Sequence, residues 1–213
     1  MNNILYIGGV ASNPRQVSGV VDALSVQYGT CVKGMSFSEA QKNRALVARL
    51  AQDCTVITHS AGMLMLAYCT PKEIIAIAPP MVASVPLLIG RGILKTFTLF
   101  RSGRESRERR RKIIAYHIGT MGEYLIRPFY ISGQMTSIGI FNAAKEAVAM
   151  AANGSKVTLC FMQDEHLFSL SSSHPDVAVA KQFGVTVYDD IIGHHDDFLL
   201  FPLDVLGQID QRE

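Results

Sequence analysis

The sequence predicts an α/β protein with a mostly parallel β-sheet covered by helices on both faces. Two observations carry this. Short apolar runs alternate with segments whose apolar residues recur at helical spacing, along most of the 213 residues. The short runs are continuously apolar, as expected of strands buried on both sides and not of strands with one wet face. A hydrophobic fraction of 48% against 18% charged residues is enough for one substantial core. We therefore read residues 1–213 as a single domain with an insertion at 81–135.

The elements follow in order. Ile4 to Ile7 reads as a strand ended by Gly8-Gly9. Pro14 to Tyr28 holds a helix with Val17, Val20, Val21 and Leu24 on one face, and a short strand follows near Cys31 to Met35. Ser38 resembles the N-cap of a helix through Ala51, with Leu46, Val47 and Leu50 on its apolar face. A strand around Val56, a helix after Ser60 and a strand at Ile74 to Ala78, stopped by Pro79-Pro80, come next. Beyond the insertion the spacing predicts a helix over Ile138 to Ala152, a strand at Val157 to Met162, a helix near Asp176 to Phe183, a strand at Val185 to Tyr188 and a last helix over Leu203 to Ile209.

The insertion has its own character. Met81 to Phe100 is apolar but broken by Pro86, Gly90, Arg91, Gly92 and Lys95, whereas a membrane span needs about 20 nearly uninterrupted apolar residues. Such a stretch suits a membrane surface or the roof of an apolar substrate site better than a span. Residues 101 to 112 hold seven of the twenty basic residues. They read first as a solvated helix face, with Glu105 and Glu108 placed to pair with Arg109, Arg111 or Lys112. The second reading is an anion-facing or membrane-facing patch.

Composition also excludes. A formal net charge of +2 is too small for a dedicated nucleic-acid binder. Met1-Asn2-Asn3 leads directly into a strand, with no signal-peptide pattern. Cys31, Cys54, Cys69 and Cys160 have neither zinc-site nor disulfide-framework spacing, which suggests reduced core residues of a cytoplasmic protein. No feature fixes an oligomeric state.

The richest motif is Thr58-His59-Ser60-Ala61-Gly62, between an apolar strand and a helical run. A serine at a tight strand-to-helix turn has its hydroxyl pushed outward and needs small neighbours. Carboxylates follow a later strand in Gln163-Asp164-Glu165-His166, and histidines follow the last strand in Gly193-His194-His195-Asp196-Asp197. In a parallel sheet all these loops lie on one edge, where sites are built. Taken alone, each piece has a plainer reading. An S-x-G after a strand is common, Gly8-Gly9 is often an ordinary turn, and His194 to Asp197 could be a metal cluster lacking further ligands. No G-x-G-x-x-G follows Ile7, which weakens a dinucleotide site. His59, His117, His166 and His174 read as surface or packing residues.

The chain resembles the α/β-hydrolase family, whose order is serine, acid, histidine, over nearly its whole length. Thr58 to Gly62 resembles that family's nucleophile elbow, with Thr58 where a Gly is usual. Tyr6-Ile7-Gly8-Gly9-Val10-Ala11-Ser12 resembles its oxyanion loop. The resemblance implies Ser60 as nucleophile, with the backbone N–H groups of Val10 and Ala61 as the oxyanion hole. It implies His195 as base, with His194 as the alternative, and Asp164 as orienting acid, with Glu165 as the alternative. It further implies a helical cap over 81–135, no cofactor and no catalytic metal. The expected substrate is a small apolar acyl ester or thioester. The alternatives are a fold that has lost catalysis and serves as a binding module, and an acyltransferase using the same serine.

Overall fold

The computed structural model describes residues 3–10, 12–67, 69–81, 111, 112, 114–116, 118, 137, 141–163 and 174–212. Among them lies one parallel sheet of β1 (Ile4–Ile7), β2 (Val32–Met35), β3 (Thr55–His59), β4 (Glu73–Ile77), β5 (Lys156–Met162) and β6 (Thr186–Ile191). The strand order is β2-β1-β3-β4-β5-β6, and each neighbouring pair is parallel. From β1 the chain steps one way to β2, then crosses back to place β3 on the other side of β1. That reversal opens a crevice beyond the carboxyl ends of β1 and β3, the place where open α/β sheets bind ligands.

The helices cover both faces. Successive strand residues point to opposite sides, so β1 sends Ile4 and Tyr6 one way and Leu5 and Ile7 the other. On the first face Ile4, Tyr6, Ile57, Ile77 and Met162 pack under α1 (Pro14–Tyr28), α6 (Asp197–Leu200) and α7 (Pro202–Asp210). On the second, Leu5, Ile7, Val56, Ile74, Leu159 and Phe161 pack under α2 (Phe37–Lys42), α3 (Arg44–Asp53), a 3-10 helix (Ser60–Leu66), α4 (Ala143–Ala152) and α5 (Pro175–Gln182). This two-sided burial is why the strands read as unbroken apolar runs.

Several boundaries differ from the sequence reading, each for a local reason. The helix expected from Ser38 to Ala51 is two helices. Ser36, not Ser38, caps α2, because Glu39 reaches back to it: the Ser36 N–H donates to Glu39 Oε2 at 2.8 Å and the Glu39 N–H to Ser36 Oγ at 3.3 Å. The hydrogen bonds that the Ser36 N–H and the Ser36 hydroxyl (2.7 Å) donate to Glu39 Oε2 hold the Glu39 carboxyl below its ordinary range. Asn43 breaks the run with non-helical backbone, its side-chain amide donating to the Glu39 carbonyl at 2.9 Å. Asn142 caps α4, accepting from the Lys145 N–H at 3.1 Å, so this helix starts later than expected; residues 138–140 lie outside the described set.

β6 runs on through Asp189 and Asp190, beyond the strand end expected at Tyr188. It is the last strand of the sheet, where acidic side chains can face water, and Arg212 pairs with Asp190 there. Cys31 is exposed, contrary to the core position expected of it, while Cys54 and Cys160 are buried. Of the insertion at 81–135, residues 82–110, 113, 117 and 119–135 lie outside the described residues, and with them most of the expected cap and of the Arg-rich run. Met81 is buried in the core, and Lys112 Nζ sits 5.8 Å from the centre of the Phe201 ring. Among the described residues no helix is long and apolar enough to cross a membrane.

Candidate active site

The crevice between β1 and β3 is built by close backbone approach. Ser60 directly follows β3 and has φ of +52°, a left-handed backbone that costs a non-glycine residue about 1–2 kcal/mol. The chain therefore leaves the strand sharply, with Ser60 only 8% exposed. Two glycines permit it. A Cβ on Gly9 would stand 2.9 Å from Ser60 Cβ and 3.2 Å from the His59 carbonyl oxygen, so the Gly8-Gly9 loop passes directly against the serine. A Cβ on Gly62 would clash with the Ile7 carbonyl oxygen and stand 3.1 Å from that of Gly8. The 3-10 helix thus rests its backbone on the end of β1, and it winds more tightly than the helix expected there.

Because backbone, not a flexible side chain, opposes Gly62, Gly62→Ala can be accommodated only by prising the 3-10 helix from β1. We expect a stability loss of about 2–3 kcal/mol, the upper part of the range for overpacking. Urea denaturation checks this, and an unchanged midpoint would contradict the close approach.

Thr58 stands where the family pattern has glycine. It is wholly buried and pairs with Ile7 and Ala76 in the neighbouring strands, which places it on the face of Val56. It therefore packs beneath the turn without crowding Ser60. The cost is polar: Thr58 Oγ1 has no hydrogen-bond partner among the described residues. Tyr6, on the opposite face, is likewise wholly buried with an unpaired hydroxyl, and burial pushes its phenol above the ordinary range.

The loop after β1 is fixed by Ser12, whose Oγ and N–H both donate to the Gly9 carbonyl, at 2.7 Å and 3.1 Å. Neither the Val10 N–H nor the Ala61 N–H is used in the turn and loop hydrogen bonds of the described residues.

The histidine loop after β6 folds back on itself. The His194 N–H donates to Asp197 Oδ2 at 2.8 Å, and the Asp197 N–H donates to the His194 carbonyl at 3.0 Å. Gly193, at φ of +141°, lets the Asp197 carboxylate come close. Asp197 is thereby engaged with the loop backbone. Among the described residues no group of three or more His, Cys, Asp or Glu could hold a metal ion. His195 is 4% exposed, while His194 is half-buried.

Of the surface and packing roles read for it, His59 takes the packing one, against the rings of His195 and Phe198. It is 2% exposed, and its Nε2 lies 2.8 Å from the His195 carbonyl oxygen. Strand alternation with Ile57 carried the signal: the residue two on from a buried strand position, at the site edge, faces the same interior. His174 caps α5, its Nδ1 accepting from the Asp176 N–H at 3.3 Å.

The structure thus brings the Gly8-Gly9 loop against Ser60, and the His195 backbone against the residue preceding Ser60. The hydrogen bonds of the described residues include none between Ser60 Oγ and an imidazole ring. Asp164 and Glu165, with His117 and His166, lie outside the described residues.

No protein-family model and no curated protein matches this sequence. Solved structures do match by shape. A bromoperoxidase from Bacillus anthracis superposes with a TM-score of 0.62 at 13% identity, over 99% of this chain and 91% of its own. An extracellular α/β-hydrolase from a Paenibacillus species gives 0.59 at 10% identity, over 100% and 98%. A carboxyl esterase from the mycorrhizal fungus Tuber melanosporum gives 0.51 at 13% identity, over 100% and 76%. Identities this low speak to architecture alone, and they agree with the strand order and two-sided helical cover: this chain has the fold of the α/β-hydrolase superfamily.

Proposed function

We propose that this protein is a serine hydrolase that cleaves a carboxylic ester or thioester of an apolar acyl group. The observation that carries the reading is Ser60: a non-glycine residue in left-handed backbone at the strand-to-helix turn, against a Gly-Gly loop, at the sheet's switch point. Strained backbone of this kind persists where surrounding contacts over-determine it, and functional sites are where it collects.

In the proposed reaction Ser60 Oγ attacks the acyl carbon while its proton passes to His195, with His194 as the alternative base. Asp164, or Glu165, directly after β5, orients the imidazole. The carbonyl electron pair moves to oxygen, where the Val10 and Ala61 N–H groups receive it; one such donor is worth about 3–4 kcal/mol. Collapse of the intermediate expels the alcohol or thiol, which takes the proton from the histidine. Water then repeats the sequence on the acyl-enzyme, releasing the acid and restoring Ser60. The apolar composition of 81–135 favours a greasy acyl group, and a cap there would keep water from the first step.

The test is hydrolysis of p-nitrophenyl acyl esters and acyl thioesters of increasing chain length. Release of free carboxylic acid, rising from acetyl to longer chains, is expected. A folded protein that releases none across the series would overturn the reading.

A further inference from the structure

We infer that His59 is a positioning residue for the histidine loop: its imidazole holds the His195 backbone, and through it the His195 ring, in place beside Ser60. This rests on the Ser60–His195 reading above.

A carbonyl oxygen can only accept, so the 2.8 Å contact from His59 Nε2 to the His195 oxygen requires the proton on Nε2. The ring is held in orientation as well. Its centre lies 4.9 Å from that of His195, with planes inclined at 52°, and 5.8 Å from that of Phe198 at 32°. Phe198 is itself set edge-on to Tyr6, with centres 6.0 Å apart and planes at 64°. Tyr6 and Phe198 are both fully buried. The loop is thus tied to β3 through the residue immediately before the serine, among buried rings. A buried hydrogen bond across 136 residues fixes two loops that the sequence otherwise leaves independent. In this proposal His59 carries no proton of the reaction. Its contribution is geometric, and misplacement of a catalytic group by about 1 Å can cost on the order of 10²-fold in rate.

The experiment compares His59→Gln with His59→Met. The two side chains have similar length, and only glutamine keeps an amide donor near the native Nε2 position. Both are assayed for kcat and KM on a p-nitrophenyl ester that the native protein turns over in a Ser60-dependent manner, with thermal midpoints measured alongside. His59→Met should lose about 100-fold in kcat with KM within about threefold, and His59→Gln should recover at least tenfold of that loss. Equal kcat in two folded variants would overturn the inference while leaving the serine mechanism standing. A native protein without Ser60-dependent turnover would instead remove the reading beneath it. Should His59→Met fail to fold, long-range ¹H–¹⁵N spectra of the native protein decide. The inference requires the Nε2–H tautomer at His59 with a slowly exchanging proton, and the Nδ1–H tautomer would overturn it.

Discussion

Ser60→Ala is expected to abolish ester turnover while leaving the protein folded. The fall should be at least about 10³-fold, to whatever the oxyanion donors and binding achieve without a nucleophile. Stability should barely move. Alanine keeps the Cβ that meets Gly9 and bears the same left-handed backbone cost as serine, so only the hydroxyl is lost. A change within about 1 kcal/mol is expected. Turnover and thermal midpoint, measured on the same preparation, check both halves. Retained turnover would contradict the mechanism, and an unfolded variant would contradict the assignment of the strain to backbone alone.

His195→Asn and His194→Asn should differ sharply. His195 is buried, its backbone tied to His59, whereas His194 is half-buried and contributes backbone groups to the loop. Removing the general base should cost about 10³-fold or more in kcat, as triad members do elsewhere. His194→Asn keeps the backbone N–H that Asp197 accepts, so its activity should stay within about tenfold of native. The reverse pattern would move the base role to His194. Both variants are read by kcat on one ester, with KM recorded to separate binding from chemistry.

The sheet was legible because its strands are buried on both faces, and continuous apolar runs leave few other readings. The site edge was legible from small residues: a Cβ on Gly9 would crowd Ser60 and the His59 carbonyl, and one on Gly62 would meet the backbone of Ile7 and Gly8. What stayed hidden was long-range or reciprocal. The start of α2 depends on a capping box at Ser36 and Glu39 that competes with a plausible serine two residues later, and the break at Asn43 on its side-chain bond to the Glu39 carbonyl. β6 extends through two aspartates because it is the outermost strand, and strand order is not written in any local window. The hydrogen bond of His59 was hidden for a similar reason: its partner is the carbonyl of a residue far along the chain. Asp164 and Glu165 both follow β5 beyond the described residues.

The central claim is that Ser60 is a nucleophile, and covalent labelling tests it most directly. The native protein is treated with a fluorophosphonate, which phosphonylates only a serine activated by a base, and the adduct is mapped by peptide mass spectrometry. One adduct is expected, on Ser60, absent in Ser60→Ala and strongly slowed in His195→Asn. A folded native protein that remains unlabelled, or carries its adduct on another residue, would contradict it.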